Sequence, residues 1–263
     1  MGGAAARGGD GGRGVIRRVF LGLLVVCAAA LPLRLQAGSG EPPPAGSIRF
    51  DVHYGSQGFK VGEASHQWTL ADGRYELQLT LEARGLAGLF GLQYAQRSVG
   101  TLDRSGLRPE LFTVDQRGRK TESAHFDWKA ARVSIRRDGV ERRAGEIGAG
   151  AQDLLSLWHQ ARRIAVGQEP ARLTVVTSKS VKKAVLEPLG KETLSLPIGR
   201  VEALRVRAYA EEGGLDIDIW LSEQHGLLPV RIRIEDEKGG VLDQRAAQVD
   251  VGSPGTAAET KTK

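Results

Sequence analysis

Residues 75–82 read Tyr-Glu-Leu-Gln-Leu-Thr-Leu-Glu. Apolar Tyr75, Leu77, Leu79 and Leu81 alternate with polar Glu76, Gln78, Thr80 and Glu82. Successive side chains of a strand point to opposite faces, so this stretch predicts a strand with one buried and one wet face. The same period of two recurs upstream in Ile48, Phe50, Val52 and Tyr54. It recurs downstream in Leu215, Ile217, Ile219 and Leu221, and in Val230, Ile232 and Ile234. Asp72-Gly73, Asp138-Gly139 and Gly239-Gly240 punctuate the strands at short intervals. Short connections imply antiparallel neighbours, because parallel pairs need long crossovers.

One segment departs from this period. Between Gln152 and Val166, Leu154, Leu155, Trp158, Ala161 and Ala165 recur at helical spacing. Asp153 is placed to cap the start, Arg162 and Arg163 suit the C-terminal dipole, and Gly167 can end the helix. A second short helix or tight loop is expected at Gly85 to Leu92. The fold class is therefore all-β with minor α: a strongly curved antiparallel sheet, or open or closed barrel, of about ten strands with one amphipathic helix packed on it. A helix of 15 residues, about 22 Å long, cannot cover the apolar face of ten strands. Either opposite walls meet or a lined cavity stays open. The longest alternations supply its expected walls: Tyr75, Leu77, Leu79, Leu81, Ile217 and Ile219.

The N-terminus reads as an export signal. Arg17 and Arg18 precede the apolar run Val19 to Leu33, which is shorter than the roughly 20 residues that span a bilayer. Ala37 is the expected cleavage position, with an uncleaved anchor as the alternative. Arg17-Arg18 resembles the twin-arginine export motif, although paired arginines are also ordinary signal charge and the general secretory route is the first expectation. Val25-Val26 before Cys27 argue against lipidation. The chain divides into residues 1–37 (signal), 38–47 (Pro/Gly-rich linker), 48–251 (one β-rich domain) and 252–263 (disordered tail). Of the net charge of +6, residues 1–37 carry +4 (five arginines against Asp10), leaving +2 for the remainder. The pI near 9.6 is thus weak support for nucleic-acid binding, and none is expected. The single cysteine lies in the signal, so the exported part forms neither disulfides nor thiolate metal sites.

Candidate chemistry is sparse. His125 and Asp127 lie two apart on a strand with no third ligand in reach, and no metal or other cofactor is expected. Ser156, His159 and Asp153 match a hydrolytic triad in composition alone, since helix residues three apart project side by side. No catalytic residue is assigned, and a hydrolase with a site invisible in sequence is the lowest expectation. Asp216 and Asp218 read as structural ion pairs. A turn centred on Gln224-His225 sets Asp218 opposite Arg231 and Asp216 opposite Arg233, whereas a slip of two sets Asp216 against Glu235. Trp68, Trp128, Trp158 and Trp220 read as packing residues, with Trp158 buried between helix and sheet. Basic clusters at Arg117-Gly118-Arg119-Lys120, Arg136-Arg137, Arg142-Arg143 and Lys182-Lys183 sit at strand ends or turns.

Several segments together resemble the bacterial family known as domain of unknown function 3108. They are Ile48–Tyr54, Ser105-Gly106-Leu107-Arg108-Pro109, Ala124-His125-Phe126-Asp127-Trp128, Gln152-Asp153-Leu154-Leu155-Ser156-Leu157, Ile219-Trp220-Leu221 and Leu228-Pro229-Val230-Arg231-Ile232. The resemblance spans about residues 48–250 and implies an exported β-rich domain without an assigned activity. The leading expectation is a non-enzymatic periplasmic binding or scaffold protein whose concave sheet holds an apolar ligand or an envelope protein. The alternative is an interaction module for envelope polysaccharide or outer-membrane assembly, bound through the basic turns. Membrane contact is expected only through the signal.

Overall fold

The computed structural model describes residues 43–55, 57–84, 93–235 and 239–252. The expected export signal with Ala37, the expected helix or loop at 85–92 and the expected tail beyond Gly252 lie outside them. Within the described residues the first meander is β1 (Ala45–Tyr54), β2 (Phe59–Ala71), β3 (Arg74–Ala83), β4 (Gln93–Asp103), β5 (Gly106–Gln116), β6 (Glu122–Asp127), β7 (Arg132–Arg137) and β8 (Val140–Glu146). There follow β9 (Gln152–Asp153), helix α1 (Leu154–Gly167), β10 (Ala171–Val176), β11 (Val181–Leu196), β12 (Gly199–Ala210), β13 (Asp216–Ser222), β14 (Leu228–Glu235) and β15 (Val241–Gly252). These 15 strands form a single sheet, with β8 at one end and β9 at the other, and β1 joined to β15 in the middle.

The sheet rolls up like a scroll. Its two end strands do not pair. Instead the ends overlap, with β9 packed against β5 and β11 against β8. Side chains hold this seam: Ser178 Oγ donates to Glu122 Oε2 at 2.6 Å, and Gln152 Nε2 to the Leu107 carbonyl at 2.7 Å. Bulges at Arg49/Phe50, Val52/His53 and Val99/Gly100 bend the central strands. Glycine permits the tightest approaches. A Cβ on Gly100 would stand 2.1 Å from the Arg108 carbonyl oxygen, and one on Gly62 2.3 Å from that of Glu82.

Helix α1 occupies the interior, touching β3, β4 and β5 on one side and β10 to β14 on the other. The expected packing of the helix on the concave apolar face is borne out, and the sheet curls far enough to meet it from both sides. Beyond the expected apolar stripe, the wrapping strands also bury Leu157, His159, Gln160 and Arg162. Asp153 caps the helix as expected, accepting from the Leu155 and Ser156 backbone N–H groups at 2.9 and 2.8 Å. The helix stops one residue later than expected, at Gln168, whose left-handed backbone donates to the Ile164 carbonyl. Trp158 is buried in the core, and so are Trp68 and Trp220.

Three further expectations are corrected. The count of about ten strands falls short of the 15 present, the charged β8 and the two-residue β9, which pairs in parallel with β10, being the hardest to foresee. The linker 38–47 gives way early: the Pro43 and Pro44 carbonyls accept from Trp68 Nε1 and Leu70 N, and β1 pairs from Ala45. The β13–β14 register is shifted by two, so Asp216 opposes Glu235 and Asp218 opposes Arg233. A bulge at Trp220/Leu221 and a 3-10 turn at Glu223–His225 absorb the difference. Repulsion at Asp216 is avoided because Arg207 of β12 holds it with two hydrogen bonds, at 3.0 and 2.6 Å. Asp218 is held by Arg205 at 2.9 Å.

Candidate ligand site

At the end of the scroll where β1 meets β2 and β14 meets β15, the helix stops short of filling the interior. A cavity of about 470 Å³ remains, within the usual range of small-molecule sites. Its walls come from inward positions on neighbouring strands: Val52 and Tyr54, Val61, then Leu79, Leu81 and Ala83, with Ile234 and Leu242 across the opening. Leu154 and Trp158 of α1 form the inner limit. Among the described residues, polar lining is confined to Tyr54, Tyr94, Gln96, Gln116, Gln244 and the Trp158 indole, and no charged side chain lines the cavity.

The floor is a layer of rings and amides. His66 stacks on Trp158 with centroids 4.7 Å apart and tilts against Phe50 at 4.8 Å. Burial pushes His66 down to about 3, so the ring is neutral at ordinary pH. Its Nε2–H donates to Gln244 Oε1 at 3.2 Å. Gln96 Nε2 donates to the Tyr94 hydroxyl at 2.6 Å. Among the described residues, Gln96 Oε1 and Trp158 Nε1 have no hydrogen-bond partner. One acceptor and one donor on lining side chains thus remain unmatched in an otherwise apolar space, an arrangement that costs stability until something polar meets them.

The structure sorts the expected wall residues by depth. Leu79 and Leu81 line the cavity. Tyr75 and Leu77, on the same face of the same strand, lie deeper and pack in the core. The Tyr75 hydroxyl meets Ser98 Oγ at 3.0 Å, and Ser98 donates to Asp153 Oδ2 at 2.5 Å. Ile217 and Ile219 are fully buried in the core with α1 packed on their strand, away from the cavity. Tyr94, Gln96 and Gln244 were not foreseen. Their signal is the polar side chain at an inward position: Tyr94, Gln96 and Ser98 share the buried face of β4, where apolar residues are the rule.

The candidate chemical groups are occupied by structure. Ser156 Oγ accepts from Asp153 N at 3.1 Å and donates to the Asp153 carbonyl, completing a capping box. His159 stands against Trp68 at 5.6 Å, and burial with the nearby Arg162 charge lowers it to about 4. Asp153 is pushed up to about 6 by burial, against the hydrogen bonds from Ser98, Ser156 and Leu155. No hydrogen bond links Ser156 to His159 among the described residues. His125 Nε2 meets Ser123 Oγ at 3.1 Å, while Asp127 Oδ1 accepts from the Lys129 and Ala130 backbone.

With this architecture in view, the profile of the family described as "Protein of unknown function (DUF3108)" matches residues 49–245. The chain belongs to that family. No curated protein matches it. Among solved structures, the DUF3108 chain is similar to a β-barrel-like protein of domain of unknown function DUF1849 from Brucella abortus. They share 10% identity and a TM-score of 0.54, over 81% of this chain and 99% of the other. That similarity is one of fold. Weaker likenesses, each with a TM-score of 0.31 over 81% of this chain and 99% of the other, are to a candidate lipoprotein from Parabacteroides distasonis (10% identity) and a candidate exported protein with a YmcC-like fold from Bacteroides fragilis (9%). No helix among the described residues is long and apolar enough to cross a membrane.

Proposed function

We propose that this DUF3108 protein is a non-enzymatic binding protein of the cell envelope that holds an apolar chain in the cavity between α1 and the rolled sheet. The observation that carries this reading is that the described residues lining a space of about 470 Å³, Leu79, Leu81, Leu154 and Leu242 among them, are uncharged and mainly aliphatic. Burying an apolar chain there gains roughly 25 cal/mol for each Å² removed from water. Placement outside the cytoplasm is supported by the basic, apolar, small-residue pattern of residues 1–37.

The test combines two measurements on the purified domain. Mass spectrometry of co-purifying small molecules is expected to find aliphatic compounds, and the neutral fluorophore N-phenyl-1-naphthylamine is expected to brighten on binding. Leu81→Glu, at a partly exposed position on the cavity wall, is expected to abolish that brightening while the domain stays folded. A protein free of aliphatic compounds and silent to the fluorophore would sink the proposal.

A further inference from the structure

A second hollow of about 350 Å³ adjoins the apolar cavity, and Tyr94 and Gln116 line both. Its character is opposite. Arg119 and Lys120 from the β5–β6 turn, Arg137 at the end of β7 and Lys179 from the β10–β11 turn surround it, with Glu122 as the sole carboxylate lining it among the described residues. Glu122 is fully engaged: Oε1 accepts from Arg137 at 2.8 Å and Oε2 from Ser178. Lys120 pairs with Asp138 at 2.9 Å. Arg119 and Lys179 form no salt bridge with any described carboxylate. Beyond them Arg136, Arg142 and Arg143 line a neighbouring hollow that shares Arg137 and Lys179. Positive charge here is thus in excess of what the fold uses. It is gathered from the β5–β6 turn, the end of β7 and, much further along the chain, the β10–β11 turn.

We infer that the two hollows are one site for an amphiphile with an anionic head, its tail against Leu79 and Leu81 and its phosphate or carboxylate between Arg119 and Lys179. The inference rests on the cavity reading above and adds the class of ligand. Tyr94 is the partition between the two halves. Its hydroxyl accepts from Gln96 on the apolar side, and its O–H proton remains available to an oxyanion. Guanidinium and ammonium groups suit such a head, since hydrogen bonds between ionised partners are shorter and stronger than neutral ones.

The experiment displaces N-phenyl-1-naphthylamine from the full domain with tetradecyl phosphate or tetradecanol, which share a chain and differ in the head. At low salt, tetradecyl phosphate is expected to displace it at least tenfold more tightly, a difference of about 1.4 kcal/mol. The preference should vanish in Arg119→Gln/Lys179→Gln and shrink in high salt, with tetradecanol unaffected. Both side chains are exposed, so the double variant folds, and its unchanged tetradecanol affinity verifies that. Equal displacement by the two ligands in the unaltered protein, or a preference that survives the double variant, would overturn the inference and leave the cavity standing. Absence of fluorophore binding would instead overturn the cavity reading, and this one with it. Inorganic phosphate at millimolar concentration separates a lipid head from a free anion: the preference is expected to persist, and its loss would overturn assignment to a chain-anchored head.

Discussion

Replacing Trp158 by alanine tests whether the helix is wedged inside the scroll as described. The side chain is 2% exposed, packs between α1 and β2, and stacks on His66 at 4.7 Å. Emptying a large aromatic site costs about 3–5 kcal/mol, and loss of the ring stack adds roughly 0.5–1.5 kcal/mol. Two features reduce that sum. The vacated space opens into the existing cavity rather than leaving a sealed void, and the substitution removes the unpartnered Nε1–H, whose burial is itself unfavourable by roughly 1–3 kcal/mol. The expected loss is therefore about 3 kcal/mol, or roughly 6–12 °C in melting temperature for a domain of this size. Urea denaturation followed by far-UV circular dichroism measures it. Trp158→Phe keeps most of the packing and discards the N–H, so it should cost only about 1 kcal/mol. A loss below about 1 kcal/mol for Trp158→Ala would refute the wedge. Equal losses for the two variants would show that Nε1 is bonded.

Three other outcomes follow from the same packing. Asp153→Ala strips the Leu155 and Ser156 N–H groups and Ser98 of their partner; a loss of about 2–3 kcal/mol is expected by chemical denaturation, and an unchanged midpoint would deny the buried cap. Stability should rise with pH between about 4.5 and 6, because His66 and His159, lowered to about 3 and 4, take up protons there only when unfolded. Asp153, raised to about 6, acts in the opposite sense by holding its proton in the folded state. His66 and His159 against Asp153 leave about 1.4 kcal/mol per pH unit, to which His125 and His225, also lowered by burial, add in the same sense; His66→Asn should lessen the slope, and urea midpoints across the window would contradict this if they fell as pH rose. Gly100→Ala forces a Cβ to within 2.1 Å of the Arg108 carbonyl, so a loss of more than about 2 kcal/mol is expected from thermal unfolding, and full tolerance would deny the close approach of β4 and β5.

Alternation made the long strands legible, and Asp153 ahead of an apolar helical stripe made the cap legible. Alternation could not say how far along a strand the helix reaches. Leu77 and Leu79 are both buried on the same face of β3, yet only Leu79 also lines the cavity, a difference decided by where α1 begins. The β13–β14 register was hidden for a similar reason. A bulge inserts a residue without any mark in the pattern, and the ion pairs used to choose the register involve Arg205 and Arg207 from the strand on the other side. The charged β8 is exposed along most of its length, so it has no buried face to announce it. The basic clusters were visible one by one. Their convergence beside Tyr94 depends on the roll that brings the β10–β11 turn to β6.

The unpaired seam has a mechanical consequence. In a closed barrel, strand number and shear set the diameter, and widening it breaks a hydrogen-bonded ladder. Here the overlapping ends meet through side chains such as Ser178 with Glu122 and Gln152 with the Leu107 carbonyl. Parting these ends would break side-chain hydrogen bonds and packing while leaving every backbone ladder of the sheet intact. The weakest line of this roll therefore runs along its seam, where a closed barrel has none.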